Sequence, residues 1–299
     1  MASRGALVRT LAMRELSGAY RRSRLAARTP GQPREVEARL ATLTRYIAMR
    51  FHAFAVAQLE GILGRAEAAA KRADAEDDFE GEEAEVRRVL ARIRKVADRY
   101  ASALGYELEL AAIARQLDDW SRQDVARYLA IDVDAVAPDP AALREFRRAT
   151  ARLIKDIPIQ QAERIANLVT QAQTTGMRVE TLQKRLQAEE GIAKRRAELI
   201  ARDQVLKANA KLNEDRQKEA GVERYIWSAG ADDRVRPMHR DLDGKTFRWD
   251  DPPITNPQGD RNHPGQDYQC RCGAIPLMPG DEEADDITRR AMAAIRGVA

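Results

Sequence analysis

The chain has 299 residues, enough for two domains of ordinary size, and 33% of them are charged while 5% are aromatic, which is typical of long amphipathic helices with a solvated face. Its net charge of +4 is a small excess of 51 basic over 47 acidic side chains, so overall charge alone does not indicate a nucleic-acid-binding protein. No apolar run approaches the roughly 20 residues that cross a bilayer and no signal peptide opens the chain, so we expect a soluble, non-secreted protein without a membrane partner.

Residues 1–34 form a predicted basic arm, because they carry many arginines against the single acid Glu15 and end in helix-breaking residues at 29–33. Such an arm fits contacts with DNA phosphates or with an acidic partner surface, and salt weakens contacts of this kind. A solvated terminus without a binding role is the alternative. The arginines assigned to DNA or partner binding are Arg4, Arg9, Arg14, Arg21, Arg22 and Arg24.

Residues 35–135 are predicted to be helical, because apolar residues recur every three or four positions along the stretches 36–54, 86–104 and 110–120. Helices of this kind pack as an antiparallel bundle. The acidic stretch 74–85 predicts a solvated turn between two of them. Because amphipathic helices also offer partner surfaces, we expect this region to mediate homo-oligomerisation or docking to a partner.

The next region, residues 136–220, follows a break at 132–140, where two prolines predict a boundary between domains. Shorter amphipathic helices are expected after this break, divided by Pro158 and by Gly176. A longer helix over 193–220 is expected to end at Gly221, since glycine is the commonest residue just after a helix. The shorter predicted helices cover residues 141–154, 159–174 and 179–189.

The character of the chain changes in residues 221–280, which favour strands and loops. The β-favouring residues around Trp227 and Phe247 flank the turn signal Asp243-Gly244, and prolines and glycines crowd the stretch 252–264. We expect Trp227 to be buried. Residues 281–299 are expected to form a C-terminal helix. The predicted fold class is therefore mostly α, with an N-terminal amphipathic helical region, a long helix and a small loop-rich α+β C-terminal module.

This C-terminal module concentrates residues that bind metals: His239, His263, Cys270 and Cys272. Two imidazoles and two thiolates form a tetrahedral zinc site, and zinc would stabilise a module with little apolar area of its own. One intervening residue makes a disulfide between the two cysteines strained. The alternative is a pair of reduced thiols beside two hydrogen-bonded histidines.

A second cluster in the same module is charged. Fixed charges packed near a turn favour an internal network of hydrogen bonds and salt bridges, and an arginine presented to phosphate is the alternative. The residues assigned to this structural network are Asp233, Arg234, Arg236, Arg271 and Trp227.

The order of these motifs along the chain is informative. They are Ala201-Arg202-Asp203, Asn209, Gly221-Val222, Trp227, Asp233-Arg234-Val235-Arg236, His239, Asp243-Gly244, His263-Pro264-Gly265 and Cys270-Arg271-Cys272. Taken in this order they resemble the phage Mu F-like family of minor head proteins. The resemblance implies a structural virion component of head morphogenesis, in the head interior or portal region and in the host cytoplasm during assembly. It also implies association with the portal protein or the major capsid protein, and contact with packaged DNA.

An enzyme is the alternative function. His239, Asn256 or Asn262, and His263 follow the order of a metal-dependent His-Asn-His nuclease, in which a histidine activates water beside a metal-bound phosphate. The last histidine of such a site lies in a helix, whereas Pro264-Gly265 predicts a turn directly after His263. We therefore expect an assembly protein and not an enzyme.

Overall fold

The computed structural model describes residues 30–70, 79–230 and 234–277 of the chain. The predicted DNA-binding or partner-binding arginines, Asp233 and residues 281–299 lie outside these ranges. Within the ranges, no helix is long and apolar enough to cross a membrane. The helices are α1 (Arg34–Ala70), α2 (Phe79–Ala103), α3 (Tyr106–Leu129), α4 (Pro140–Thr175), α5 (Val179–Glu219) and α6 (Pro237–Leu242), and the strands are β1 (Arg224–Ser228), β2 (Thr246–Arg248) and β3 (Gly273–Leu277). A mostly helical chain with a small β-containing module is the predicted fold class, which is confirmed.

Of the two predicted helix breaks, the one at Pro158 is absent and the one at Gly176 is present, because α4 runs from Pro140 through Pro158 to Thr175 and α5 begins at Val179. The helices predicted at 179–189 and 193–220 are one continuous helix, α5. An interior proline costs a helix about 3 kcal/mol, but the apolar face of α4 is buried on both sides of it, with Ile157 and Ile165 at 3% and 0% exposure. The packing of that face thus outweighs the tendency of proline to break a helix. The predicted end of the long helix at Gly221 is confirmed by its φ of 80°.

The predicted break at 132–140 is found in the structure, whereas part of the predicted turn at 74–85 is helical. Residues 79–85 already belong to α2. The stretch 132–140 does interrupt the helices, with a short 3₁₀ helix at Val133–Ala135 before α4 begins. The Asp139 carboxylate accepts hydrogen bonds from the backbone N–H groups of Ala141 and Ala142, which caps the start of α4.

The described residues divide into two compact units. The helical unit comprises segments 37–113 and 147–202, and the sheet unit comprises the described residues of segments 1–36, 114–146 and 203–299. The core of the helical unit includes Phe51, Ile93 and Ile165, each with 0% exposure. Phe51 and Tyr100 pack edge to face, with ring centroids 5.1 Å apart.

The sheet unit is built around a three-stranded antiparallel sheet with the order β2-β1-β3. One face of β1, with Tyr225 and Trp227, packs in a core that also contains Val125 and Tyr128 of α3. The opposite face buries Ile226 against β3. The predicted 221–280 module therefore shares its core with side chains nearly a hundred positions earlier in the sequence.

Buried polar side chains connect α3, α5 and the sheet inside this unit. Arg216 of α5 is 2% exposed and donates hydrogen bonds to Ser121 and to Asp118, the latter at 2.5 Å. Burial lowers the pKa of Arg216. Gln217, the next residue, donates from Nε2 to the carbonyl of Ala274 in β3 at 3.0 Å. These bonds fix the helix on which the sheet rests.

Candidate metal centre

The histidine of the candidate centre is positioned by a short helix after β1. α6 begins at Pro237, a residue suited to the first turn of a helix, and carries His239. The Asp243 carboxylate accepts a hydrogen bond of 2.8 Å from the N–H of Ala229, and Gly244 donates one of 2.8 Å to the carbonyl of Trp227. The turn predicted at Asp243-Gly244 thereby holds α6 against the end of β1.

The two cysteines lie on the approach to β3, which begins at Gly273. Cys270 and Cys272 are 3% and 9% exposed, and Arg271 between them is half-buried. Alternate residues of an extended segment point to the same side, so the two sulfurs face His239 together. His239 itself is 2% exposed.

The distances within this group suit a metal ion. His239 Nδ1 lies 3.5 Å from the sulfur of Cys270 and 3.6 Å from that of Cys272, and the ligand atoms of all three residues lie within 4.8 Å of one another. Zinc bonds cysteine sulfur at about 2.3 Å and histidine nitrogen at about 2.0 Å, so a tetrahedral centre places such atoms about 3.5 Å apart. The two distances from His239 Nδ1 to the sulfurs thus fit a soft divalent ion bound by all three residues.

The electrostatics of the group favour one thiolate. Hydrogen bonds from Cys272 and from His239 lower the pKa of Cys270 to about 5, against the effect of burial. The pKa of Cys272 is raised because it shares its proton with Cys270 and is itself buried. The hydrogen bond with Cys270 also raises the pKa of His239. The lowered pKa of Cys270 favours its thiolate, which is the form of cysteine that binds metals.

A carboxylate lies behind the histidine. Asp267 Oδ2 is 3.0 Å from His239 Nε2, the ring nitrogen that points away from the cysteines. Asn262 Nδ2 donates a hydrogen bond of 2.9 Å to the other carboxylate oxygen of Asp267. Trp227, whose predicted burial is confirmed at 0% exposure, packs its ring edge to face with that of His239 at 5.4 Å.

The fourth predicted ligand, His263, lies elsewhere in the sheet unit. Its Nδ1 is 2.9 Å from the hydroxyl of Tyr225, and its ring packs 4.8 Å from that of Trp249. Burial among these aromatic rings lowers the pKa of His263. The structure thus brings together three of the four predicted ligands, and a turn follows His263 as Pro264-Gly265 predicts.

Two arginines of the predicted charged network, Arg236 and Arg271, contact other parts of the sheet unit. Arg234 and Arg236 are exposed, and Arg236 donates a hydrogen bond to the carbonyl of Tyr268. The carbonyl of Arg271 accepts one of 3.2 Å from Gln32. Asp203 accepts one of 2.9 Å from the N–H of Gln269, which has a positive φ of 55° just before Cys270. Asp203 therefore fixes the loop that presents the cysteines.

An extended segment from the N-terminal side lies against the same loop. Residues 30–32, here called the strap, border a cavity that Arg271, Cys272 and Gly273 also line. Gly31 donates from its N–H to Asp124 at 2.9 Å. A Cβ on Gly31 would lie 3.0 Å from that carboxylate, so the close approach favours glycine.

Sequence reasoning missed the residues around the ligands. Asp267 stands three positions before Cys270, and this proximity to the cysteine pair was the available signal. The sequence analysis considered Asn262 only as a candidate nuclease residue. The contacts of the strap could not be predicted from the sequence pattern, because Gln32 and Arg271 lie 239 positions apart.

Comparison with known proteins finds a similarity that covers this region. The family model described as phage Mu protein F like protein matches residues 163–275. An uncharacterized protein of Haemophilus influenzae is 38% identical over 132 residues, which are 44% of this chain and 28% of the relative, so the chain spans less than a third of that protein. No solved structure matches the chain. Over residues 163–275, the similarity to the phage Mu F-like family that the ordered motifs predicted is confirmed.

Proposed function

We propose that this chain is a minor head protein of a phage, a virion component that acts in head morphogenesis through non-enzymatic contacts. The observation that carries the proposal is the family match over residues 163–275, which contains the whole candidate metal centre. The expected partners are the portal protein or the major capsid protein, with packaged DNA nearby. The expected location is the head interior or the portal region, and homo-oligomerisation is part of the proposal.

The role proposed for the centre is structural zinc binding. A structural zinc has four protein ligands, whereas a catalytic zinc has three and keeps one position open to substrate. Three ligands are grouped among the described residues, and the support for a structural role is that all three are enclosed, at 2%, 3% and 9% exposure. A bound zinc would join α6 to the loop before β3 and stabilise the surface that the module presents to its partner.

The buried histidines support the structural reading over nuclease activity. A general base must reach the attacking water beside the substrate. His239 has one ring nitrogen on the cysteines and the other on Asp267, while His263 is paired with Tyr225. A plasmid-nicking assay with Mg²⁺ or Mn²⁺, on the wild type and on His239→Ala, is expected to show no cleavage by either protein.

The assembly role is tested in the phage that carries the gene. Mass spectrometry of purified heads is expected to find the chain, and the paired variant Cys270→Ser with Cys272→Ser is expected to lower the yield of infectious particles. Gln258→Ser, in an exposed loop of the same module, is the control and is expected to leave the yield unchanged. Absence of the chain from purified heads would refute the virion assignment.

The metal role is tested separately on the purified full chain. Metal analysis of protein prepared under reducing, chelator-free conditions is expected to give about one zinc per chain, as for a closed structural site. The cysteine variants are expected to lose it, because the thiolates are the anionic ligands. Wild-type protein that holds no zinc and takes none up would contradict the metal role while leaving the assembly role intact.

A further inference from the structure

The candidate centre has a polar support that neither the family match nor the ligand set assigns. We propose that Asp267, held by Asn262, is the positioning residue of the centre: its carboxylate holds the Nε2 side of His239 when the metal ion is bound and so directs Nδ1 at the ion. This inference rests on the zinc site proposed above, and it names the residues that prepare the site for the ion.

The first step concerns the tautomer of His239. A neutral imidazole carries its proton on one nitrogen only, and the nitrogen without the proton binds a metal. Nε2 of His239 and Oδ2 of Asp267 are both buried and lie 3.0 Å apart, and neither atom makes a hydrogen bond of good geometry to any described residue. A carboxylate accepts hydrogen bonds and donates none when ionised. When a metal ion occupies Nδ1, the imidazole proton lies on Nε2, within reach of this carboxylate oxygen.

The second step concerns the orientation of the carboxylate. Asn262 Nδ2 donates to Asp267 Oδ1 at 2.9 Å and to the Thr255 hydroxyl at 3.1 Å, so its amide is itself fixed. With Oδ1 held in this way, Oδ2 is directed at the imidazole. The backbone carbonyl of Asp267 also accepts a hydrogen bond of 3.0 Å from the N–H of Cys270. One residue thus sets both the histidine and the start of the cysteine pair.

The third step is the consequence for metal binding. Histidine ligands of zinc commonly donate their second N–H to a carboxylate, and losing that carboxylate typically lowers metal affinity about 10- to 100-fold. The ligands remain in place after such a change, so the metal still binds at high concentration. A positioning role therefore predicts weakened affinity with an unchanged ligand set.

The test is titration of reduced, metal-free full-length protein with Co²⁺, whose absorption reports thiolate ligation. Asp267→Asn is expected to weaken Co²⁺ binding about 10- to 100-fold while keeping the thiolate-to-cobalt band at saturation. Asn262→Ala, which leaves the carboxylate present but unsupported, is expected to weaken binding less. Asp260→Asn is the matched control, because Asp260 is an exposed carboxylate of the same loop that pairs with Asn256.

A second readout addresses the tautomer directly. Long-range ¹H–¹⁵N spectra of the zinc-loaded wild type are expected to show zinc on Nδ1 and the proton on Nε2 of His239, and Asp267→Leu is expected to lose this single arrangement. Wild-type affinity in both Asp267→Asn and Asn262→Ala, or zinc on Nε2 in the wild type, would overturn the positioning role alone. A wild type that binds no Co²⁺ would overturn the metal site as well.

Discussion

The buried ion pair between Asp118 and Arg216 offers a sharp test of how the sheet unit is held together. Both side chains are almost fully enclosed, at 8% and 2% exposure, and Arg216 also contacts Ser121. We consider the change Asp118→Asn, which keeps the shape of the side chain and removes its charge. The guanidinium of Arg216 would then remain buried without a counter-ion.

The magnitude follows from that burial. Removing one partner of a buried ion pair costs about 3–5 kcal/mol because the other charge is left uncompensated. We expect about 3 kcal/mol for Asp118→Asn, the lower end of this range, because the amide oxygen still accepts one hydrogen bond. An exposed pair such as Arg94 with Glu163, at 46% and 51% exposure, contributes only about 0–1 kcal/mol.

The assay is urea unfolding of the purified chain, with Asp119→Asn as the control at an exposed neighbouring carboxylate. The double variant Asp118→Leu with Arg216→Met removes both charges and is expected to recover much of the loss, since apolar replacements of a buried pair are often tolerated. A loss below about 1 kcal/mol for Asp118→Asn would refute the reasoning, because that is the range of an exposed pair.

Three further outcomes are expected. Gly265→Ala should destabilise the chain by about 1–3 kcal/mol more than Gly259→Ala does. Both glycines have a positive φ, but only at Gly265 would a new Cβ lie 2.7 Å from the Cβ of Ala210. Equal losses of unfolding free energy in urea would contradict this. The fragment 163–275 should give poorly dispersed amide NMR signals next to the full chain, because it lacks Val125 and Tyr128 of the sheet-unit core; a well-dispersed spectrum would show that the matched region folds alone. His263 has a pKa lowered from 6.5 by burial, so its contribution to stability is complete above pH 6.5 and is lost as the pH falls below it; His263→Gln should reduce the loss of unfolding free energy between pH 7 and pH 5, and an unchanged loss would contradict the assignment.

The predictions of individual helices rested on the spacing of apolar residues, and the predictions of helix ends rested on glycine and proline. The apolar spacing from Val36 to Phe51 follows a buried helix face, and Gly221 ends α5 where predicted. These features depend on neighbours within a few residues, so the sequence alone contains their cause. Pro158 shows the limit of such signals, because the packing that keeps α4 continuous comes from residues distant in sequence.

Part of the candidate site was likewise predictable from the sequence, and part depended on the fold. The spacing of Cys270 and Cys272 predicts that both could bind one metal ion, and His239 is a metal-binding residue type in the same module. The choice between His239 and His263 depended on which one the fold turns toward the sulfurs, and residue type carries no information on that. Tyr225 is what keeps His263 apart, through a hydroxyl contact of 2.9 Å that no pattern predicts.

The strap has a consequence for the time at which the protein can fold. Gln32 meets Arg271 only after the 239 residues that follow Gln32, up to and including Arg271, have been synthesised, which takes roughly 10–50 s at about 5–20 residues per second. Until then, Val125 and Tyr128 have no sheet to cover them. We therefore expect the nascent chain to expose these side chains while the residues between Tyr128 and β3 are synthesised, and a truncation before β3 to leave them uncovered.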